Sequence, residues 1–325
     1  MATWIYTKSE TNRIAVLILS IALVTLFHFL IPTEPHDYHM VHIILRKLYF
    51  LPPVMAGAWY GLRGAAFTTL VVSIAFILHA FLDWPGNYME QANQLGELAS
   101  FWAVGLVPGY LFDRQRTLLQ SLARANEETI LGLVSALDMR ERNTRLHSQR
   151  VRDYTLLLAD RYGVTEKERK VIGFGALLHD VGKIAVPDSI LLKPSELSDD
   201  EWQEMRKHPA EGFRLLQRID FLRGSAELVH AHHERYDGTG YPEGLKGEQI
   251  PLGARLFMVA DVFDAITTER PYHSSMSYSE AVALIRGESG AHFDPAVVAV
   301  FEEILPDELE AIRKRYADTN EPQDR

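Results

Sequence analysis

Cysteine is absent from the 325 residues of the chain. Its absence excludes a disulfide framework, a thiolate metal site and a cysteine nucleophile. Any metal that the protein binds must therefore be held by histidine and carboxylate side chains. The chain has 13 histidines and 43 acidic residues from which such a site could be built.

Charge is scarce in the first third of the chain. Residues 1–112 contain five Lys or Arg and six Asp or Glu, whereas the following 213 residues contain 28 and 37. The second part therefore carries a net charge of −9 out of the total of −10. A domain of that size can bury a full core, and its acidic balance argues against binding a nucleic-acid polymer.

Four uncharged apolar stretches lie within those first 112 residues. Two of them are 19 residues long, and the other two are 15 residues long; they are residues 14–32, 48–62, 64–82 and 98–112. A helix that spans a bilayer needs roughly 20 residues. Buried helices of a soluble domain are the alternative, but four such stretches with so few charges favour a four-helix transmembrane module over residues 1–112.

An even number of spans puts both ends of this module on one side of the membrane. Lys8, Arg13 and Arg63 would then lie in the cytoplasm, in keeping with the positive-inside bias. Arg46 and Lys47 do not fit this pattern, and they either reach the outer interface or form a functional pair within the bundle. The remainder of the chain is then expected in the cytoplasm.

Residues 113–126 predict a helical linker. Leu111, Leu118 and Ala125 recur at intervals of seven, with Leu122 offset by four, which is typical of a short coiled coil. Such a linker would pair two copies of the chain into a parallel homodimer. A plain amphipathic helix gives the same pattern over so short a length, so both interpretations stay open.

Strand patterns are nearly absent beyond the linker, so residues 127–325 predict an all-helical domain. A long helix is expected over residues 127–162, with His147 on the apolar face that also carries Val151 and Leu158. Taken alone, an inward-facing histidine of this kind is most often a core residue whose hydrogen bonds are satisfied.

Two pairs of polar residues interrupt apolar helices further along. The carboxylate of Asp180, next to His179, is expensive to bury unless a metal compensates it. Lys183 lies one helical turn beyond His179 and can share its face. Asp261 and Asp264 follow an apolar run and lie on one helix face, which suits a metal ligand and a partner that orients it.

The stretch 232–242 reads His-His-Glu-Arg-Tyr-Asp-Gly-Thr-Gly-Tyr-Pro. Both imidazoles can face one site only if the backbone bends there, or if the site is wide enough for more than one ion. Asp237-Gly238 and Thr239-Gly240 are turn dipeptides, and Pro242 prevents a helix from continuing. The stretch therefore predicts one wall of a metal-dependent active site.

Five imidazoles and two carboxylates make up the candidate metal set. They are His147, His179, Asp180, His208, His232, His233 and Asp261. One ion cannot use seven ligands of this kind, but two ions that share a bridging aspartate can. Ligands without sulfur suit Fe or Mn, and Zn is also compatible. Such a site would activate a bridging hydroxide for in-line attack on a phosphoryl group, with Lys183 and Arg270 neutralising the phosphate charge.

The order of these motifs resembles the HD-GYP family of HD-domain metal-dependent phosphohydrolases, over residues 127–305. The shared motifs are Thr144-x-x-His147-Ser148-x-Arg150-Val151, His179-Asp180-Val181-Gly182-Lys183-Ile184, His208-Pro209, the stretch 232–242, Asp261 to Ala265, and Arg270-Pro271-Tyr272. The resemblance implies an HD-type helical bundle, anchored here in a bacterial inner membrane. It also implies hydrolysis of cyclic di-GMP to the linear dinucleotide or to GMP.

The resemblance further implies roles for individual residues. One metal would take His147, His179, Asp180 and Asp261, and the other would take His208, His232 and His233, with Asp180 bridging. The catalytic residues would be Asp180, Lys183 and Asp264. The substrate-binding residues would be Lys183, Arg270, Gly240, Tyr241 and Pro242, of which the last three would shape the guanine-side entrance or a partner-binding surface.

Two positions depart from the family pattern. Some members carry a glutamate four residues before the first histidine of the set and bind a third metal; here that position is Asn143, so two metals are expected. His273 replaces a permanent positive charge at the end of the Arg-Pro-Tyr motif. This replacement implies weaker phosphate binding, or binding that tightens as the histidine becomes protonated.

Two other functions are kept as alternatives. In the first, the membrane part senses a signal while the soluble domain binds cyclic di-GMP or another signalling protein without turnover. The complete set of seven ligands argues against this reading, since a degenerate receptor has no need of all of them. In the second, the site hydrolyses another nucleotide.

Overall fold

The computed structural model describes residues 2–31, 39–83, 88–141, 146–268 and 275–317. Within these ranges the secondary structure is helical and no β-strand forms, which confirms the predicted all-α class. The chain divides into two compact units, Met1–Glu127 and Glu128–Arg325.

The first unit is built from long apolar helices. They are α1 (Ala2–Leu30), α2 (His39–Leu48), α3 (Leu51–Asp83) and the first part of α4 (Tyr88–Glu141), whose last residues belong to the second unit. The stretch predicted as a linker, residues 113–126, lies inside α4 and is helical. The core of the first unit is aromatic: Tyr49, Phe76 and Phe101 are fully buried, and Phe76 meets the other two rings edge-on.

Helix α3 is interrupted at Gly61. Its backbone has a φ of 68°, which favours glycine, and a Cβ there would lie 1.8 Å from Asp113 Oδ1. Residues on both sides of Gly61 approach the same point of α4, since a Cβ on Gly105 would contact both Pro53 and Thr69. The two apolar stretches that flank Gly61 therefore run in opposite directions.

Two helical stretches among the described residues are long and apolar enough to cross a membrane, Glu10–Leu30 and Ile43–Leu82. The second of them contains the reversal at Gly61. Large apolar side chains on both stretches are exposed, for example Leu19 at 58% and Phe67 at 69%. Helices of this length and composition also occur in the cores of soluble proteins, so the four predicted spans stay a prediction.

The second unit is a bundle of shorter helices that follow the end of α4. They are α5 (His147–Tyr162), α6 (Glu166–Leu177), α7 (Asp188–Leu191), α8 (Asp199–Met205), α9 (His208–Gln217), α10 (Ala226–Ala231), α11 (Leu252–Thr267), α12 (Tyr278–Gly287), α13 (Pro295–Glu302) and α14 (Pro306–Ala317). A 3₁₀ turn, Val181–Ala185, lies between α6 and α7. The predicted continuous helix over residues 127–162 is wrong. Helix α4 ends at Glu141, and Leu146 has a φ of 70°, a left-handed conformation that a right-handed helix excludes.

Helix α11 lies at the centre of the core of this unit. Its residues Leu256, Phe257 and Val259 are fully buried, and α5, α10, α12 and α13 pack around it. A second apolar cluster joins Ile130 and Val134 of α4 to residues of α6, α9 and α10. Because close-packed cores leave little freedom to the helices that form them, the ends of α5, α6, α9 and α10 are held at fixed positions.

Candidate metal centre

His147 is the first residue of α5, and it is buried against two aspartates of α11. Its Nε2 atom lies 3.3 Å from Asp261 Oδ1, and its Nδ1 atom lies 2.7 Å from Asp264 Oδ2. Arg150, one turn further along α5, donates to Oδ1 and Oδ2 of Asp264 at 2.8 and 3.0 Å. The carboxylate that orients the His147 ring is therefore itself held in place.

His179 and Asp180 follow the C-terminal end of α6. His179 Nδ1 lies 2.9 Å from the Ala176 carbonyl oxygen, and its Nε2 atom lies 3.0 Å from Asp180 Oδ2. The 3₁₀ turn that comes next packs closely against the start of α9. A Cβ on Gly182 would lie 1.8 Å from the His208 carbonyl oxygen, so this position requires glycine.

Three histidines approach Asp180 from α9 and from the end of α10. His208 begins α9, His232 caps α10, and His233 follows it. The Nδ1 atoms of His208 and His232 lie 2.8 and 2.7 Å from backbone carbonyl oxygens of the preceding turn. Their Nε2 atoms are 3.2 Å apart and lie 3.3 Å (His208) and 3.9 Å (His232) from Asp180 Oδ1.

The seven predicted ligands come together in two clusters. The first ligand cluster is His147, His179 and Asp261, and the second ligand cluster is Asp180, His208, His232 and His233. Within each cluster, one ligand atom from every residue lies within 4.8 Å of the others. The two oxygens of Asp180 face different clusters, since Oδ2 is next to His179 and Oδ1 is next to His208.

The donor atoms of both clusters fit a divalent metal. An imidazole whose Nδ1–H donates to a carbonyl or carboxylate oxygen presents the lone pair of Nε2 to a ligand. Four of the five histidines have Nδ1 placed for this hydrogen bond. Imidazole nitrogens and carboxylate oxygens without sulfur suit Fe, Mn or Zn.

The electrostatic surroundings of the two clusters differ. Burial lowers the pKa of His147, but the hydrogen bonds to Asp261 and Asp264 outweigh burial and raise that pKa to about 10. In the second ligand cluster, burial and the nearby His208 lower the pKa of His233 to about 4. Hydrogen bonding in the first cluster therefore favours a protonated His147, whereas burial in the second favours a neutral His233.

Lys183 belongs to the 3₁₀ turn, and its Nζ atom lies 2.8 Å from Asp180 Oδ2. Burial by itself would raise the pKa of Asp180, but Lys183 and His179 together hold that pKa well below its ordinary value. Arg140, near the end of α4, donates to the Lys183 and Val186 carbonyl oxygens at 3.1 and 2.7 Å. The ammonium group is thus fixed beside the carboxylate that faces both clusters.

Tyr241 lies against the second ligand cluster. Its ring stacks on the His233 ring with centroids 4.7 Å apart. Gly240 has no room for a side chain, because a Cβ there would lie 2.3 Å from the Arg235 backbone nitrogen. Pro242 follows through a cis peptide bond. The predicted Gly-Tyr-Pro wall is therefore adjacent to the histidine pair.

The roles of two charged residues were missed in the sequence. One is Arg150, which holds Asp264. The other is Glu234, a fully buried carboxylate that accepts hydrogen bonds from the backbone N–H groups of Glu243 and Leu245 at 2.8 and 3.0 Å. Both residues lie inside the motifs that carry the family resemblance, but their partners are known only once the chain is folded.

Three positions that the sequence singled out lie outside the described residues. They are Asn143, Arg270 and His273. The contact expected between Arg270 and substrate phosphate, and the effects expected of the other two, stay predictions.

Comparison with known proteins gives a family and a set of curated relatives. The HD domain profile matches residues 133–297. The cyclic di-GMP phosphodiesterase response regulator RpfG of Xanthomonas campestris is 42% identical over 189 residues, 57% of this chain and 50% of that protein. A probable cyclic di-GMP phosphodiesterase of Vibrio cholerae is 40% identical, covering 55% of this chain and 44% of that protein.

A third relative carries a different substrate in its name. The 3'3'-cGAMP-specific phosphodiesterase 2 of Vibrio cholerae is 38% identical over 203 residues, 62% of this chain and 39% of that protein. The chain spans half or less of the length of these curated relatives.

Proposed function

The chain belongs to the HD-domain family, and we propose that it is a metal-dependent phosphodiesterase of the HD-GYP branch. In this proposal it hydrolyses cyclic di-GMP to the linear dinucleotide or to GMP. The observation that carries the proposal is Asp180, whose oxygens lie 3.0 Å from His179 Nε2 and 3.3 Å from His208 Nε2, one toward each ligand cluster. The names of the relatives support the substrate class.

The two clusters would hold two divalent ions. These would be Fe or Mn, and Zn is also compatible. The ligands would be His147, His179 and Asp261 for one ion and His208, His232 and His233 for the other, with Asp180 shared. When bound, such ions supply an activated water and a Lewis acid for a phosphoryl oxygen.

Lys183 and Asp264 would act in different ways. Lys183 Nζ lies beside Asp180, where it would neutralise the charge of a phosphate that enters the site. Asp264 acts through His147, because it faces Nδ1 and so directs Nε2 toward the first ligand cluster. Asp264 is therefore a positioning residue.

The Gly-Tyr-Pro segment would form one wall of the substrate entrance. Tyr241 stacks on His233, so its ring would line the guanine side of the entrance beside the second ligand cluster. Gly240 and Pro242 set the backbone on either side of that ring. Arg270 is proposed, from its sequence motif, to bind a substrate phosphate together with Lys183.

The first unit would anchor the enzyme in the bacterial inner membrane through four spans, with the second unit in the cytoplasm. The exposed apolar side chains of α1 and α3 and the reversal at Gly61 support this proposal. Residues 113–126 would pair two copies of the chain, since Leu118 and Leu122 are 58% and 59% exposed. Other signalling proteins are further candidate partners.

A second candidate substrate is 3'3'-cGAMP, in which adenine replaces one guanine. The observation in its favour is the relative named as specific for that molecule. Its hydrolysis would use the same ligands and the same Lys183, so only the base contacts would distinguish the two substrates.

The full-length protein, purified in detergent and loaded with Mn²⁺, tests the proposed function on both dinucleotides, with products separated by chromatography. We expect the linear dinucleotide or GMP from the wild type, and a loss of about a thousandfold or more from His179→Ala. His230→Ala is the control, because His230 packs on Phe213 outside both clusters. No product from the wild type, or equal product from His179→Ala, would contradict the proposal.

A further inference from the structure

Arg206 lies at the edge of the second ligand cluster. It caps the C-terminus of α8, two residues before His208, and its side chain is exposed. Its guanidinium carbon lies 5.2 Å from the centroid of the Tyr241 ring. Tyr241 in turn stacks on His233. Guanidinium, phenol and imidazole thus form a row that ends at a predicted metal ligand.

Arg206 has no carboxylate partner among the residues that the structure describes. Its neighbour Lys207 pairs with Glu204, and Arg214 in the next helix pairs with Glu211 at 2.6 Å. The positive charge of Arg206 is therefore available to a ligand. A guanidinium presents its N–H donors in a planar fork that matches two phosphate oxygens.

A cyclic dinucleotide carries two phosphodiesters on opposite sides of one ring. Only one of them can meet the ligand clusters and Lys183 at a time, so the second negative charge needs a separate counter-ion. Arg206 can supply this positive charge. Its guanidinium packs on the Tyr241 ring, and that ring stacks on His233 of the second ligand cluster.

We propose that Arg206 binds the phosphate that is not being hydrolysed. This inference rests on the proposed function and adds a residue to it that the sequence motifs did not indicate. Arg206 would then increase affinity for a substrate with two phosphates, and it would have no effect on a substrate with one. The guanidinium would not take part in bond cleavage.

Steady-state kinetics of the Mn²⁺-loaded full-length protein on two substrates test the proposal. Cyclic di-GMP has two phosphodiesters, and bis(p-nitrophenyl) phosphate has one. We expect Arg206→Ala to raise KM for cyclic di-GMP about tenfold, because one charge-assisted contact is lost, with kcat unchanged. The kinetics on bis(p-nitrophenyl) phosphate should stay at the wild-type level. Arg206→Lys should recover part of the affinity, since lysine keeps the charge but not the fork.

Arg218 provides a matched control. It caps the C-terminus of α9 as Arg206 caps α8, and it is exposed, without a carboxylate or ring partner in the described part of the chain. Arg218→Ala should leave both substrates unaffected. An equal loss on both substrates from Arg206→Ala would mean that the residue only supports Tyr241 and His233, and it would overturn the proposal. No loss on either substrate would overturn it as well.

A failure of the proposed function gives a different result. If the wild type does not hydrolyse cyclic di-GMP, equilibrium binding of that molecule to the Mn²⁺-loaded proteins can be measured without turnover. Binding about tenfold weaker in Arg206→Ala than in the wild type would keep Arg206 as a phosphate ligand while the enzymatic proposal fails. Equal binding by both proteins, or none by either, would overturn the inference about Arg206.

Discussion

The two ligand clusters hold similar donor atoms in opposite electrostatic surroundings. At the first ligand cluster, hydrogen bonds to Asp261 and to the neighbouring Asp264 outweigh the effect of burial and raise the pKa of His147 to about 10. In the second, burial and a neighbouring imidazole lower the pKa of His233 to about 4. A metal ligand must be deprotonated to bind its ion. His233 of the second ligand cluster is therefore ready for a cation at neutral pH, whereas His147 of the first has to release a proton.

Asp180 is the residue that the two clusters have in common, so its replacement should have the largest effect. Asp180→Asn keeps the size of the side chain but removes the charge that faces His179 and His208. We expect activity to fall about a thousandfold or more, with metal lost from both clusters. Turnover on cyclic di-GMP and metal content by plasma mass spectrometry measure the two effects.

Asp160→Asn is the control for that substitution, since Asp160 forms an exposed ion pair with Arg169 away from both clusters. A variant Asp180→Asn that retains two ions per chain would show that the two clusters do not share a ligand. The two clusters would then be independent metal sites.

Asp264→Asn should weaken metal binding at the first ligand cluster and not at the second, because Asp264 contacts only the first of them, through His147. The amide can still accept a hydrogen bond, but it lacks the charge that raises the pKa of His147. We expect metal affinity at the first ligand cluster to fall about 10- to 100-fold. At limiting metal, one ion per chain should remain, and metal titration of the wild type and the variant measures the difference.

The thermal midpoint of the metal-free Asp264→Asn variant provides a control for folding, because Arg150 loses part of its buried partner. If both ions were lost in parallel, Asp264 would serve the whole site. Its contact with His147 would then not explain its effect.

Proton release on metal binding should also differ between the clusters. The pKa of His147, about 10, lies above neutral pH, so an ion that binds there must displace at least about one proton. The pKa of His233, about 4, lies below neutral pH, so an ion at the second ligand cluster should displace none from that ring. Raising the pH from 6 to 8 should therefore strengthen binding at the first cluster, where His147 gives up its proton more easily.

Calorimetric titration of the metal-free protein with Mn²⁺, in two buffers of different ionisation enthalpy at pH 7, measures these protons. The binding event at the first cluster should depend more strongly on the buffer than the other, because His147 releases a proton and His233 does not. Identical proton release in both events would remove the electrostatic difference between the clusters.

The composition of the candidate site was predictable because its residue types are costly anywhere else. A His179-Asp180 pair in an apolar stretch and adjacent His232 and His233 point to a metal, and the seven side chains do lie together. The groups that hold those side chains were not predictable in the same way. Arg150 and Asp264 are separated by 114 residues, and nothing local indicates that they meet.

The fold was predictable in class but not in its interruptions. Apolar periodicity indicated helices throughout. It also predicted one continuous helix over residues 127–162, whereas α4 ends at Glu141. The left-handed conformation of Leu146 could not be predicted from the sequence, because leucine ordinarily avoids that conformation. Gly61 shows the opposite case, since a glycine between two uncharged stretches coincides with a reversal of the chain.

The smallest effect is expected from Arg140, which touches neither cluster. It donates to the Lys183 and Val186 carbonyl oxygens and so holds the 3₁₀ turn from α4. In Arg140→Ala, Lys183 should keep its charge but lose its fixed position, and kcat should fall about fivefold, or ~1 kcal/mol. Arg161→Ala is the control, because it breaks an exposed ion pair with Glu308. Unchanged metal content in Arg140→Ala would assign the loss to Lys183, whereas metal loss would show that α4 supports the clusters themselves.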